Sequence, residues 1–258
     1  MDMTFENILV RFEGPLMWLT LNRPAEANAI SIAMGQEFCA AIEQAERDPA
    51  IHVVILQGNG RFFCAGGDVA MMDAAEDPAV FLKELAETMH FGLLRLARSR
   101  LITIAAVDGY AAGAGLGLVL NADVVLASER AGFLSAYGSI GLTPDCGVSY
   151  LLPQVVGPRR AAHMALLGRS VNAEEGLAWG LVTEVVTQGD LVARARDLGE
   201  FLGTAATQML GPTKKLLSAG ISEAYARHLD DEAETIFAMI SLPDTRRRIG
   251  EFLARSKR

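Results

Sequence analysis

The chain of 258 residues is 51% hydrophobic and 21% charged, with a formal net charge of −8. That much apolar surface excludes disorder over most of its length, and no run reaches the roughly 18 residues of a membrane span. The acidic balance opposes a general attraction to nucleic acid, and an odd cysteine count (Cys39, Cys64, Cys146) without CxxC spacing argues against a disulfide framework. No two histidines fall at i, i+3 or i+4, so no helical metal site is expected. Met1 to Glu6 carries two acids and no basic stretch, so no secretory signal is expected and the expected location is cytoplasmic.

In chain order, Ile8 to Phe12 and Met17 to Leu21 flank Glu13-Gly14-Pro15 and predict a β-hairpin. Ser31 caps a helix to about Arg47, with Phe38, Ala41, Ile42 and Ala45 at helical spacing and Pro49 beyond its end. Val53 to Leu56 is a continuous apolar run, the pattern of a strand covered on both faces. A long helix follows from about Pro78 to Ser99, then a buried strand from Leu101 to Val107, a helix over 115–121, and a strand from Val124 to Ala127. Strands alternating with helices imply right-handed crossovers and a mostly parallel sheet. Beyond Pro144 the strand signal fades: Leu181 to Val186 is one candidate among helices near 147–152, 158–168, 172–179, 190–203, 212–219, 222–241 and 245–255. The expected class is α/β, with a core over 1–195 and a helical region over 196–258. The arginines at 95, 98 and 100, and those at 159 and 160, read as solvated helix faces.

Two glycine-rich loops follow buried strands. One runs from Gly58 to Asp68 and the other from Asp108 to Gly117. Small residues let a ligand approach the backbone, and a helix start offers unpaired N–H groups and a positive dipole. Two such donors converging on one oxygen make an oxyanion hole. Gly113-Ala114-Gly115-Leu116-Gly117 lacks the GxGxxG spacing of a dinucleotide site, which leaves packing loops as the plain alternative.

Further motifs stand in order along the chain: Asn22-Arg23-Pro24 with Asn28-Ala29-Ile30, then Phe62 to Asp68, Val107 to Gly115, Asn121-Ala122-Asp123, Gly141 to Asp145, Ala178 to Val182, and Phe252 to Arg255. Together these resemble the crotonase (enoyl-CoA hydratase/isomerase) superfamily over nearly the whole chain. The resemblance implies a crotonase-like spiral of ββα units with a C-terminal trimerisation region, and acyl-CoA chemistry. It places the thioester oxygen on the Ala65 and Ala114 amides. It lays the bent CoA along Arg23, Ala25 and Ala27 and along Ala65, Gly66, Gly67, Asp68 and Ala114. It implies a homotrimer or hexamer in which Arg255 or Lys257 reaches a neighbour's CoA phosphates. No cofactor beyond the substrate's own CoA, no metal, no nucleic acid and no membrane is expected.

Hydratases of this family use two glutamates, and at those positions the chain holds Gly117 and Tyr137. A carboxylate does occur at Asp145, which by itself reads equally as the N-cap of a short helix. Gly-Leu-x-Pro-Asp-x-Gly resembles the phenylacetate-pathway isomerase branch, where one Asp moves a proton between carbons of an enoyl-CoA. His90 lies on the inward stripe of its helix with Ala86, Leu93, Leu94 and Ala97, which reads first as a buried, hydrogen-bonded histidine. His90, Asp145 and the Ala114 loop also resemble the 4-chlorobenzoyl-CoA dehalogenase branch, with Asp145 as nucleophile and His90 activating water. Tyr137 is expected to line the acyl pocket, with a hydroxyl available for acid–base chemistry. Asp68 reads as a helix-start acid. A non-catalytic, RNA-binding relative is the remaining alternative, and four lysines do not favour it.

Overall fold

The computed structural model describes residues 5–204, 207–218 and 221–256; Lys257 lies outside them. Strands β1 (Ile8–Glu13) and β2 (Leu16–Leu21) form the hairpin, closed by Gly14 at φ +55°, and α1 (Ile32–Arg47) starts where the Ser31 hydroxyl accepts the Met34 amide. Then come β3 (Val53–Gly58), the short helix α2 (Val69–Ala74) and the long helix α3 (Pro78–Arg98). Asp77 caps α3 by accepting from Ala79 and Val80 N–H, with Pro78 in the first turn. Strands β4 (Ile102–Val107) and β5 (Tyr110–Ala112) lead into α4 (Ala114–Leu120), followed by β6 (Val124–Ser128) and β7 (Gly132–Leu134). The rest is α5 (Val148–Val156), α6 (Pro158–Leu167), β8 (Val171–Asn172), α7 (Ala173–Trp179), β9 (Glu184–Val186), α8 (Leu191–Thr204), α9 (Thr207–Leu217), α10 (Ile221–Ile240) and α11 (Pro243–Ser256).

The larger sheet has the order β1-β2-β3-β4-β6-β9, antiparallel only at the hairpin and parallel elsewhere; β5, β7 and β8 form a second, smaller sheet. Alternation along the strands divides the core. Val54 and Leu56 face the helices α1 and α3, while Val53 and Ile55 face Leu191 and Ala195 of α8 on the other side. Helix α8 therefore runs through position 195, where the sequence suggests a division. The chain is mixed α/β, as expected.

Three sequence readings change. Helix α5 continues past residue 152 through Pro153, giving up one backbone hydrogen bond, because buried Leu152 and Val156 hold its last turns. The strand expected from Leu181 is only Glu184–Val186; Leu181 and Val182 instead donate to the Gly176 carbonyl as α7 ends. Arg100 is not a solvated side chain. It donates to the Asp48 carbonyl at 2.7 Å and the Ile51 carbonyl at 2.6 Å, closing the end of α1.

Lys214 of α9 is buried, and its ammonium donates to Leu96 O (3.2 Å), Leu101 O (2.9 Å) and the Asp123 carboxylate (2.7 Å). One cation thus joins the end of α3, the start of β4 and the turn before β6. Lys214→Met should lower the unfolding free energy by about 3 kcal/mol, since it removes the cation from the partly buried Asp123 carboxylate and a donor from the Leu96 and Leu101 carbonyls. Urea unfolding measures it, and an unchanged midpoint would refute this bridging role.

Candidate active site

Helix α4 is the base of the site. Gly113 takes φ +54°, the chain turns, and Ala114 opens the helix with an N–H that has no partner four residues back. Two later glycines let loops close on opposite faces of α4. A Cβ at Gly115 would lie 2.3 Å from the Cys64 carbonyl, and one at Gly117 would lie 2.7 Å from both Cβ and O of Cys146. The first contact brings the 62–68 loop to the start of α4. The second brings the turn carrying Asp145.

In the 62–68 loop the Cys64 amide donates to Tyr110 O at 3.1 Å and the Ala65 amide to Ala27 O at 3.0 Å. Ala65 is therefore not the free donor that the sequence suggests, because its N–H is already satisfied. Gly66 O accepts from Ile30 N, and Asp68 N donates to Ile30 O, both on one side of an extended stretch. Extended backbone alternates its polar groups, so the intervening Gly67 N–H faces the opposite side. The Gly67 amide has no backbone acceptor among the described residues. Gly66 at φ +105° packs so closely that a Cβ there would lie 3.5 Å from Ala114 N. At this junction the amides of Gly67 and Ala114 both lack a backbone acceptor among the described residues.

They border an apolar cavity of about 310 Å³. Its wall includes Ala65, Gly66, Gly67, Ala114, Tyr137 and Asp145, with Met72, Leu82, Leu85 and Met89 beneath. Helices α10 and α11 complete it with Ile236, which no local pattern in the sequence associates with the site, and with Phe252, which opens the last of the sequence motifs. Met72 faces in, while Met71 is exposed. The other expected ligand contacts lie outside this wall. Arg23 donates to Ala29 O (2.5 Å) and pairs with Asp68 (2.9 Å), while Asp68 caps α2 by accepting from Met71 N. Ala25 and Ala27 sit on the turn beside them, joined to the cavity loop by the bond from Ala65. Arg255, on the last helix, is exposed near Glu251.

Asp145 is 5% exposed, and its Oδ1 lies 2.5 Å from Nε2 of His90. Burial of His90 works to lower its pKa, but the hydrogen bond and charge of Asp145 outweigh that and raise it. Asp145 does not cap α5, whose N-cap is Gly147 and has no side-chain bond from its own residue. The Tyr137 hydroxyl donates to the Asp145 carbonyl at 3.0 Å, and burial holds it well above the ordinary phenol range, so it keeps its proton. The acid–base role suggested for Tyr137 thus gives way to a fixed donor in the wall. His90 itself does not line the cavity; it faces a crevice between α3 and α10. His90, Asp145 and Cys146 place donor atoms within 4.8 Å of one another, but the His90–Asp145 bond engages two of them. Burial, with the charge of Asp145 adding to it, drives the Cys146 thiol well above its usual pKa.

One charged group escapes sequence reading altogether. Glu232 of α10, 4% exposed, accepts from Gly147 N (2.7 Å) and Ser149 N (2.9 Å) and from the Ser149 hydroxyl, and so caps α5 from 83 residues away. No capping motif signals it, because the acceptor belongs to another helix. Burial pushes Glu232 up to about 7, against the lowering effect of Ser149 and the two amides, with the charge of Asp145 adding to the rise.

A family model described as enoyl-CoA hydratase/isomerase matches residues 11–257, and the chain belongs to that family, the crotonase superfamily. Among relatives, it is 36% identical over 252 residues to a 1,2-epoxyphenylacetyl-CoA isomerase of Escherichia coli, covering 97% of this chain and 96% of that one. It is 33% identical over 256 residues to 4-chlorobenzoyl coenzyme A dehalogenase-2 of an Arthrobacter species, covering 98% and 92%. The crystal structure of an enoyl-CoA hydratase/isomerase from Mycobacterium paratuberculosis matches with a TM-score of 0.90 at 26% identity, over 97% of this chain and 100% of that one. Among the described residues no helix is long and apolar enough to cross a membrane.

Two predictions follow from the packing. Gly117→Ala should cost about 1–3 kcal/mol by overpacking against Cys146, and Gly117→Glu should lose more stability without gaining hydratase activity; thermal unfolding and hydration of a 2-enoyl-CoA check both. For Glu232 the native state holds a proton that the unfolded chain releases between its ordinary value of 4.5 and about 7. Its contribution to stability is full below that window and falls as pH rises through it, by up to about 3 kcal/mol. Glu232→Gln should flatten this fall when urea unfolding is compared at about pH 5 and about pH 8. A slope equal to the parent's would remove Glu232 as its source.

Proposed function

We propose that this family member shifts the double bond of an enoyl-CoA, with Asp145 as the single base. The observation that carries the reading is one buried carboxylate, hydrogen-bonded to His90, in the wall of an apolar cavity that also carries two unpaired amides. The thioester carbonyl sits on the Gly67 and Ala114 N–H groups, and the acyl chain occupies the apolar cavity. Asp145 removes a proton from one carbon, and the electron pair delocalises onto the thioester oxygen as a dienolate. The two amides stabilise that oxygen, each worth about 2.7–4 kcal/mol of barrier in comparable sites. The carboxylic acid then returns a proton to the other end of the allylic system. One base suffices because no proton is gained or lost overall. Hydration would need a second group to handle water, and Cys146 fills the space beside Gly117 where a glutamate would stand.

CoA is part of the substrate in this reading, and no other cofactor is required. The trimer or hexamer implied by the family belongs to the same proposal. A second reading takes Asp145 as an aryl nucleophile and His90 as the base that activates water. The 2.5 Å contact and the dehalogenase relative favour it. Against it, Nε2 of His90 is engaged by Asp145 and the ring faces the crevice, away from the acyl cavity.

Turnover of 3-enoyl-, 2-enoyl- and 4-halobenzoyl-CoA separates the readings. Isomerisation of the 3-enoyl thioester should exceed both hydration and dehalogenation. Asp145→Asn should keep CoA binding and lower isomerisation by about 10²–10⁴-fold. Full activity in that variant would overturn the mechanism, and a covalent aryl adduct accumulating in His90→Gln would establish the dehalogenase reading instead.

A further inference from the structure

The turn that carries Asp145 is held by very little of its own. Cys146 takes φ +57° and Gly147 φ +79°, two successive left-handed residues, the first of them with a side chain. Helix α5 begins directly after them without a side-chain cap of its own. Such a conformation persists only when its surroundings over-determine it.

Helix α10 grips this turn at two points. The Tyr225 hydroxyl lies where any Cβ on Gly147 would fall, 2.3 Å away, and donates at 2.8 Å to the Asn121 side-chain oxygen. The Asn121 amide in turn donates to Gly117 O (2.8 Å) and Cys146 O (3.4 Å). The second point is Glu232, whose Oε2 takes the Gly147 amide and whose Oε1 takes the Ser149 amide and hydroxyl. With that hydroxyl donating to Glu232, His228 Nε2 donates to Ser149 Oγ at 2.7 Å, and the His228 ring lies against Tyr150. No part of Glu232 belongs to the wall of the acyl cavity.

We infer that Glu232 is the positioning residue of the Asp145 base: by taking both amides of the turn it fixes the Cys146–Gly147 conformation that aims the carboxylate at His90 and the cavity. It acts through the backbone and never meets substrate. A shift of about 1 Å at a reacting group is enough to cost on the order of a hundredfold in rate. The inference rests on the proposed isomerase reading for its kinetic consequence, but its structural consequence stands apart from any substrate.

The test has two readouts. The short His90–Asp145 bond should give a strongly downfield imidazole N–H proton resonance, assigned by its loss in His90→Gln. In Glu232→Ala that resonance should broaden or disappear. On a 3-enoyl-CoA, kcat should fall on the order of tenfold to a hundredfold with KM nearly unchanged, because the acyl cavity and the two amides remain. Glu232→Gln, which keeps one accepting oxygen in place of two, should fall between the parent and Glu232→Ala in both readouts. Retention of both the resonance and kcat in Glu232→Ala would overturn the inference, as would a fall in KM and kcat together with the resonance intact. If Glu232→Ala does not fold, Glu232→Met, which fills the same volume without either accepting oxygen, carries the same measurements, and an unaltered resonance there refutes the role. If no thioester is isomerised by the parent protein, the function proposed above fails, and the resonance alone decides the role of Glu232.

Discussion

How closely two loops approach helix α4 determines the rest of the site. Gly115 and Gly117 lie two positions apart and so on opposite faces of the helix, and each has another residue's backbone where a side chain would be. One contact draws in the strand-like loop that ends at Asp68; the other draws in the turn that carries Asp145. The helix start between them presents the Ala114 amide. A methyl group on either glycine would push a wall of the cavity outward, so the geometry of donors and base is set by the absence of two side chains.

Much of this was legible in the residues. The hairpin, the capped helix after Ser31 and the buried parallel strands follow from alternation, capping and apolar runs, all of which are local signals. The glycine loops marked a place for close backbone approach, and Asp145 and His90 do meet. What the sequence could not specify was the use of particular amides. Ala65 and Gly67 are equally small, and only the pairing of Ile30 with the loop, together with the Ala27 contact, decides which N–H is spent. The short second sheet escaped for a related reason, since its strands have three residues or fewer and no period to read. Glu232 escaped because a cap donated by a distant helix leaves no trace near the helix it caps.

The electrostatics of the site turn on burial. Asp145, Glu232 and His90 occupy one poorly hydrated region, in which two acids share the interior with one imidazole. Charge is supportable there only through specific partners: His90 for Asp145, and two amides and a hydroxyl for Glu232. Burial is the main cause of the rise of Glu232, with the charge of Asp145 adding to it, while for His90 the hydrogen bond and charge of Asp145 overcome burial. Tyr137 and Cys146, pushed far toward their protonated forms, add shape and dipoles to the wall but no competing charge. Asp145 is thereby left as the carboxylate in the cavity wall.

The grip of α10 on the Asp145 turn also has a temporal side. The amides at 147 and 149 are made long before residue 232 during synthesis on the ribosome, and until then the turn lacks its acceptor. The strands and α4 precede α10 in the chain, and the contacts of Glu232 with the Asp145 turn form only once α10 docks. A nascent chain therefore passes through a stage in which the cavity floor has been made and the Asp145 turn is still unlatched.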